Sequence, residues 1–397
     1  MAQPDEPSPL LIRQLKVSGL LSFGPAGIDL PMRCLNVLIG ANGSGKSNLI
    51  EVLALLRASP KSLPAPIKEM GGVREWLWKG DGIAKEAVID AVVTNPGKAM
   101  DLRHVLSIRE HGNRFEVVDE RIENEKAYEG KSKDPFFYYR YQRGHPVLQD
   151  FQDEKRKLKR EQVLPEESIL SQVKDPERYP ILTRLQDAYG DIRLFRNWSF
   201  GPGAALRREQ SAQGRSDFLE DGGDNLALVL SNIRNKVKKD LSRSLKKLYD
   251  GIEDVAFEIG GGALQLFIEE TGGRQISATR LSDGTLRYLC LLAILIHPEP
   301  PPLIAIEEPE LGLHPDVIPH IADLLIGAAT RTQIVVTTHS RTLVDALADC
   351  PESVIVCERR GEESCFERLE ADRLRIWLER YSLGELWSIG ELGGNRW

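Results

Sequence analysis

One run of residues has the spacing of a phosphate-binding loop. Gly40–Ser47 reads GANGSGKS, follows the apolar run LNVLI, and precedes a helix predicted from Lys46 to about Leu56. In this strand–loop–helix context, glycines let backbone N–H groups approach phosphates, Lys46 reaches the β- and γ-phosphates, and Ser47 ligates Mg²⁺. We therefore predict an ATP and Mg²⁺ site that includes Gly40, Ala41, Asn42, Gly43, Ser44, Gly45, Lys46 and Ser47.

A second candidate is a pair of acids at the end of an apolar run. The sequence LIAI ends in Glu307 and Glu308, and a buried parallel strand presents its carboxyl end at the edge where ligands bind. Glu307 would hold Mg²⁺ directly or through water, and Glu308 would polarise the attacking water. Acids after a strand are often only solvated turn residues, so this prediction depends on the phosphate loop.

Two further motifs contain polar groups that could face an anion. Ser282 and Gly284 lie in LSDGT at the start of a predicted helix, where a hydroxyl and exposed N–H groups attract negative charge. The alternative is that Ser282 only caps the helix. His339 closes the apolar run QIVVT, and a histidine there could bond the γ-phosphate or be structural.

These motifs together resemble the ABC-type ATPases. The order is phosphate loop, long insertion, LSDG, acid pair, EPELGLHP and TTHS. In that family LSDG corresponds to the signature, which caps the γ-phosphate held by the opposite subunit. EPELGLHP corresponds to the D-loop, and TTHS contains the switch histidine. The resemblance implies an ATP-dependent homodimer or higher homo-oligomer in which Glu308 and His339 are catalytic and Ser47 and Glu307 bind the metal.

The long insertion and the phrase EEPELGLHP resemble the SMC, RecF and OLD branch of this family. GGVREWLWKG and the ending YSLGELWSIGELGGNRW resemble stand-alone bacterial ATPases that act in two-gene anti-phage systems such as PARIS. This implies a separate effector protein, for example a nuclease. The sequence departs from the family at Asp283 and Thr285 of the signature and at Glu307, where aspartate is usual. No Q-loop glutamine is assigned, and Arg13 and Phe23 are the weak candidates for contacting adenine.

The elements that must position these residues follow from apolar spacing. Strands are predicted at Leu11–Val17 and Leu35–Ile39, and antiparallel strands from about residue 87 to 141. An apolar stripe from Leu226 to Leu248 predicts one long amphipathic helix. After Asp254, a hairpin precedes strand–helix alternation, which implies a largely parallel sheet.

We therefore expect an α/β fold: an ABC-type P-loop ATPase with a mostly parallel core sheet, an antiparallel β subdomain and a helical insertion. The expected division is 1–145 for the N-terminal half with the phosphate loop, 146–253 for the insertion, and 254–397 for the C-terminal half.

Composition limits the classes of function. The net charge of −7 argues against a general polyanion binder, so DNA contact would need a local basic surface such as Lys155–Arg160 or the Arg234–Lys247 helix face. Five cysteines without a C-x-x-C pair argue against disulfides and a zinc site, and favour the cytoplasm. No apolar run is long enough to span a membrane.

The preferred interpretation is an ATPase that dimerises around ATP and controls a partner effector, in anti-phage defence. The alternative is a RecF-like DNA-binding ATPase of repair or recombination. A transporter subunit is disfavoured by the long insertion.

Overall fold

The computed structural model describes residues 10–80, 82–95, 100–112, 114–128, 130, 133–142, 144–150 and 154–394. The helices are α1 (Lys46–Ala58), α2 (Pro64–Glu69), α3 (Val73–Trp76), α4 (Ile169–Gln172), α5 (Pro180–Gly190), α6 (Leu226–Ile233), α7 (Lys238–Leu248), α8 (Asp283–Leu295), α9 (Ile318–Ala328), α10 (Arg341–Asp345), α11 (Ala371–Leu378) and α12 (Leu383–Ser388).

A mixed central sheet carries the motif loops. In spatial order it consists of β10 (Arg193–Phe195), β15 (Leu303–Glu307), β16 (Gln333–Thr337), β3 (Leu35–Ile39), β17 (Val354–Arg360) and β18 (Glu363–Arg368). The first five strands pair in parallel and β18 is antiparallel to β17. Because parallel strands share a direction, the loops after β3, β15 and β16 leave the sheet at one edge.

The strands β15, β16 and β3 at the centre of this sheet are buried on both faces, which explains why they are mainly apolar. Successive residues of β15 point into different cores: Ile304 and Ile306 join one core with α6, α7, α8 and α9. Leu303 and Ala305 join a second core with α1, α5 and the antiparallel strands. The sheet therefore packs between two hydrophobic cores, which restrict the movement of the edge that carries the loops after β3, β15 and β16.

The predicted antiparallel strands lie in a second, wholly antiparallel sheet that is larger than expected. In spatial order its members are β2 (Ile28–Pro31), β1 (Ile12–Ser18), β4 (Ala87–Val93), β5 (Leu102–His111), β6 (Arg114–Asn124), β7 (Phe137–Gln142), β8 (His145–Gln149) and β9 (Lys155–Lys157). The last two strands continue it past residue 145.

The predicted hairpin after Asp254 is confirmed and belongs to a third sheet. β12 (Ile252–Gly260) pairs with β13 (Ala263–Glu270), which also pairs with β11 (Gln210–Ser211) and β14 (Arg274–Ser277). The helices α6 and α7 contact this sheet and α8. Together these elements form the support on which the signature motif lies.

The segment 146–253 differs from the helical insertion that the sequence predicts. It contributes β8 and β9 to the antiparallel sheet and β10 to the central sheet, as well as helices. A strand as short as β10 shows no alternation of apolar and polar residues in the sequence. It forms because it hydrogen-bonds to strands that are distant along the chain. The division of the chain at residues 145 and 253 stays a prediction.

The single long helix predicted from Leu226 to Leu248 is wrong. The chain forms α6, turns at residues 234–237, and then forms α7. The apolar stripe continues because Ile233, Val237 and Leu241 are buried in the same core. The turn contains neither glycine nor proline, so the strongest local signals of a helix end are absent.

His297, just after α8, gives a prediction about stability and pH. The Glu299 N–H donates to His297 Nδ1 at 3.2 Å, and the ring packs edge-to-face on Phe218 at 5.0 Å between centroids. Burial lowers the pKa of His297 below its ordinary value of 6.5. As the pH falls, the imidazole of the unfolded chain therefore binds a proton before that of the folded chain does. The stability contributed by neutral His297 is complete above pH 6.5 and is lost as the pH falls through the pKa of the folded state.

We expect the melting temperature to fall more between about pH 7.5 and about pH 5.5 in the wild type than in His297→Gln. The exposed His314→Gln variant is the matched control and should behave as the wild type does. Equal pH dependence in wild type and His297→Gln would contradict this prediction.

Among the described residues, no helix is both long enough and apolar enough to cross a lipid bilayer.

Candidate nucleotide site

The phosphate loop joins β3 to α1, as the sequence predicts. A Cβ at Gly40 would lie 2.1 Å from the carbonyl oxygen of Cys357 on the adjacent β17, so only glycine fits there. α1 begins at Lys46 without a side-chain cap from Gly45, and its first turn contains no acid. Its N-terminal N–H groups and dipole therefore favour an anion at the loop.

Lys46 is buried at the centre of this loop. Its ammonium donates to the carbonyl oxygens of Gly40 and Ala41 at 2.8 and 2.9 Å. Burial lowers the pKa of Lys46, and the nearby Glu308 acts in the opposite direction. A phosphate group would supply the full negative partner that this desolvated cation lacks.

The two acids at the end of β15 have different surroundings. Burial raises the pKa of Glu307, while the charge of Arg196 and the nearby Ser47 hydroxyl lower it. Glu308 has a backbone φ of 46°, which is unusual for a non-glycine residue and costs about 1–3 kcal/mol. Its N–H donates to the carbonyl oxygen of Thr337 at 3.0 Å, which fixes this turn to the end of β16.

His339 lies beside the second acid. Its Nε2 is 3.6 Å from Glu308 Oε1. The pKa of His339 is lowered, first by burial and then by the charge of Lys46, whereas Glu308 raises it. The structure therefore brings Lys46, Glu308 and His339 within electrostatic reach of one another, although their segments are far apart in sequence.

Ser282 and Gly284 lie at the start of α8, beside the turn that follows the acid pair. Ser282 Oγ caps the helix by accepting from the Thr285 N–H at 3.0 Å, as the alternative interpretation allowed. A Cβ at Gly284 would lie 2.6 Å from the Gly312 carbonyl oxygen, so glycine permits this close approach. Ser282 and Leu311 are exposed on this face.

Two arginines that the sequence did not single out support these motifs. Arg196 follows β10 and donates to the Ile50 carbonyl oxygen at 2.8 Å and to Glu51, both on α1. Arg207 forms an ion pair with Asp283 and donates to the Leu281 carbonyl oxygen at 2.6 Å. Asp283, the acid in the LSDGT motif, therefore has a structural partner in Arg207. The three-residue strand before Arg196 gave no periodic signal by which it could have been found.

The candidates for contacting adenine gain no support. Phe23 is fully buried, and its ring meets Phe366 edge-to-face at 5.4 Å between centroids. Arg13 forms an ion pair with Asp101 at 2.9 Å.

The oxygen donors near the phosphate loop suit Mg²⁺. Ser47 and Glu307 supply a hydroxyl and a carboxylate, the hard ligands that this ion takes alongside phosphate oxygens and water. Within the part of the chain that is described, no group of three or more histidine, cysteine, aspartate or glutamate side chains could hold a metal by itself. Such a sparse donor set fits an ion bound mainly through a nucleotide.

Fold and site together define a P-loop domain whose fold is similar to that of SMC heads. The chain belongs to the family described as AAA domain, putative AbiEii toxin, Type IV TA system, whose model matches residues 35–345. A search of curated proteins finds no match to this sequence.

Two solved structures show the likeness of the fold. The SMC head bound to the C-winged helix domain of ScpA has a TM-score of 0.56 at 17% identity, covering 91% of this chain and 99% of that one. The Smc head with an extended coiled coil, bound to the C-terminal domain of ScpA derived from Pyrococcus furiosus, has a TM-score of 0.54 at 15% identity. That match covers 93% of this chain and 98% of the other.

Proposed function

We propose that this protein hydrolyses ATP to ADP and phosphate with the help of Mg²⁺. The observation that carries the proposal is the convergence of the phosphate loop, the acid pair and His339 at one edge of the central sheet. The Ser47 hydroxyl lies near enough to Glu307 to lower its pKa, and His339 Nε2 lies 3.6 Å from Glu308 Oε1.

Each residue has a separate task in this proposal. The Lys46 ammonium leaves the carbonyl oxygens of its own loop and binds the β- and γ-phosphates. Ser47 and Glu307 would hold Mg²⁺, which neutralises phosphate charge. Glu308 orients a water and accepts its proton as the water oxygen attacks the γ-phosphorus and ADP leaves. His339 donates to a γ-phosphate oxygen.

Phosphate release from ATP by the purified protein, with Mg²⁺ or with EDTA, tests this function directly. We expect release that requires Mg²⁺ and disappears in Lys46→Ala. Release that persists unchanged in that variant would indicate a contaminating ATPase and remove the proposal.

We also propose that two chains enclose two ATP molecules. The exposed face that carries Ser282, Asp283 and Leu311 suits contact with a nucleotide on a second copy, because it offers a helix N-terminus and an apolar side chain that is 56% exposed. Light scattering of the Glu308→Gln variant with and without ATP tests the assembly by measuring whether ATP converts monomers into dimers.

The setting we propose is control of a separate effector in bacterial anti-phage defence, as in systems such as PARIS. Two findings support a partner-controlling role: the family description names a toxin of a toxin–antitoxin system, and the similar SMC heads are bound to ScpA domains. The five cysteines include no C-x-x-C pair and favour a reducing compartment, for which we propose the cytoplasm.

We predict that this chain alone does not cut nucleic acid. Its acids near the metal site are committed to ATP, and the described residues contain no other metal-binding cluster. Plasmid, linear DNA and tRNA incubated with Mg²⁺ or Mn²⁺, with and without ATP, should remain intact. Cleavage that survives stringent purification and disappears in a point variant of this chain would contradict the prediction.

The second candidate function is a RecF-like, DNA-binding ATPase. The observation that favours it is the basic outer face of α7, where the exposed cations are Lys238, Lys239, Arg243, Lys246 and Lys247. ATP-dependent DNA binding with a steep salt dependence, lost when these residues are replaced by glutamate, would support this function over effector control.

A further inference from the structure

The turn that follows the acid pair contains a third acid, Glu310, whose contacts reach the switch loop, residues 338–340 after β16. Glu310 Oε1 accepts hydrogen bonds from Thr338 Oγ1 at 2.7 Å and from the His339 N–H at 2.9 Å. Thr338 Oγ1 also accepts from the Ser340 N–H at 2.9 Å. One carboxylate oxygen therefore holds the backbone of His339 directly and that of Ser340 through the threonine hydroxyl.

The other carboxylate oxygen of Glu310 has no evident structural use. Glu310 Oε2 is buried without a hydrogen-bond partner among the described residues, and so is Nε of Arg287 on α8. Burying a polar atom without a hydrogen-bond partner destabilises the folded state, so packing alone does not account for a carboxylate at this position. Arg287 and Glu310 influence each other electrostatically, which offsets part of this cost.

The turn that carries Glu310 is held in place from the opposite side. Arg287 Nη1 donates to the Leu311 carbonyl oxygen at 2.8 Å, and the Leu311 N–H donates to the Glu308 carbonyl oxygen at 3.1 Å. The guanidinium of Arg287 is itself stacked on Trp198, 5.2 Å from the ring centroid. Glu310 therefore lies on a turn that is fixed by hydrogen bonds from α8. The switch loop that Glu310 binds carries the exposed side chain of His339.

We propose that Glu310 is a positioning residue that orients the switch loop so that His339 faces Glu308 and the γ-phosphate. In this proposal Glu310 acts through His339 rather than on the nucleotide or on the attacking water. This inference rests on the proposed ATP hydrolysis and adds to it a residue without which His339 would sample other directions.

A double-mutant cycle in the full chain tests the proposal. Loss of charge-assisted hydrogen bonds of about 1.5–3 kcal/mol should lower kcat of Glu310→Ala by about tenfold to a hundredfold, with the Kd for ATP within about twofold of wild type. In a His339→Ala background, the same substitution should lower kcat by less than about twofold further, because the residue it acts through is gone.

Two milder variants keep the test decisive if Glu310→Ala fails to fold. Glu310→Gln retains an acceptor oxygen and should restore most of kcat, whereas Thr338→Val removes one of the two donors without changing shape and should give an intermediate loss. Equal effects of Glu310 substitutions with and without His339, or a rise in Kd that matches the loss of kcat, would overturn the proposal.

The cycle also separates this inference from the proposed function. If the wild type does not hydrolyse ATP, or if His339→Ala leaves kcat unchanged, the proposed function or its assignment of His339 fails. If His339→Ala lowers kcat but Glu310→Ala does not, only the inference about Glu310 fails.

Discussion

Lys46→Ala is expected to abolish ATP binding, whereas Glu308→Gln is expected to bind ATP and fail to hydrolyse it. Lys46 supplies positive charge to the phosphates, whereas Glu308 supplies a base for the attacking water. The Lys46 ammonium is a desolvated charge in the phosphate loop, and among the described residues its hydrogen bonds go to two carbonyl oxygens. Its removal should raise the Kd for ATP by about a hundredfold or more, as for other buried charge pairs that lose one member.

In the proposed mechanism Glu308 orients the attacking water and accepts its proton, and glutamine preserves the shape of Glu308 without its basicity. The expected loss of kcat is about a hundredfold to ten-thousandfold, the range for removing a general base, with the Kd for ATP nearly unchanged. Titration with a fluorescent ATP analogue beside a phosphate-release assay measures both quantities. Normal hydrolysis by Glu308→Gln would remove the assignment of the catalytic acid.

Matched controls come from residues of the same type outside the site. Lys79→Ala removes a lysine that pairs with Glu75 on an exposed surface, and Glu299→Gln neutralises an exposed acid that pairs with Lys236. Both should leave binding and hydrolysis as in the wild type.

Mixing two inactive chains should restore activity if the sites are composite. In a dimer of one Lys46→Ala chain and one Ser282→Arg chain, one site combines both defects and the other combines an intact phosphate loop with an intact signature. Random mixing makes half of the dimers mixed, so about a quarter of the wild-type activity should return when the sites act independently.

The structure explains why arginine at Ser282 should be selective. Ser282 is exposed at the start of α8, so arginine would project outward from the helix N-terminus rather than disturb a core. Ser277→Arg alters another serine that caps a helical turn, on the same support but outside the signature, and serves as the control. Absence of recovery, with mixed dimers shown to form, would count against sites shared between subunits.

The parts of the site that the sequence predicted are those with local causes. The phosphate loop needs glycines next to one another, an apolar strand before it and a helix after it, and all three are readable in one stretch of chain. Short, mainly apolar runs likewise predicted β3, β15 and β16, since strands buried on both faces consist largely of apolar residues.

What the sequence left open are features whose causes lie far along the chain. The strand before Arg196 exists because it pairs with β15, more than a hundred residues later. The contact of Glu310 with Thr338 spans 28 positions and joins two loops that meet only because β15 and β16 are neighbours. A third acid in a turn carries no local sign that it has such a partner.

The break between α6 and α7 follows the same rule. A continuous apolar stripe determined which side chains are buried, and the sequence alone was sufficient for that, because burial depends on residue type and spacing. Whether the stripe lies on one helix or two depended on where the third sheet and α8 stand, and only the tertiary structure decided it. Local chemistry thus determined the phosphate-binding and acidic motifs of this protein, while long-range packing determined which groups support them.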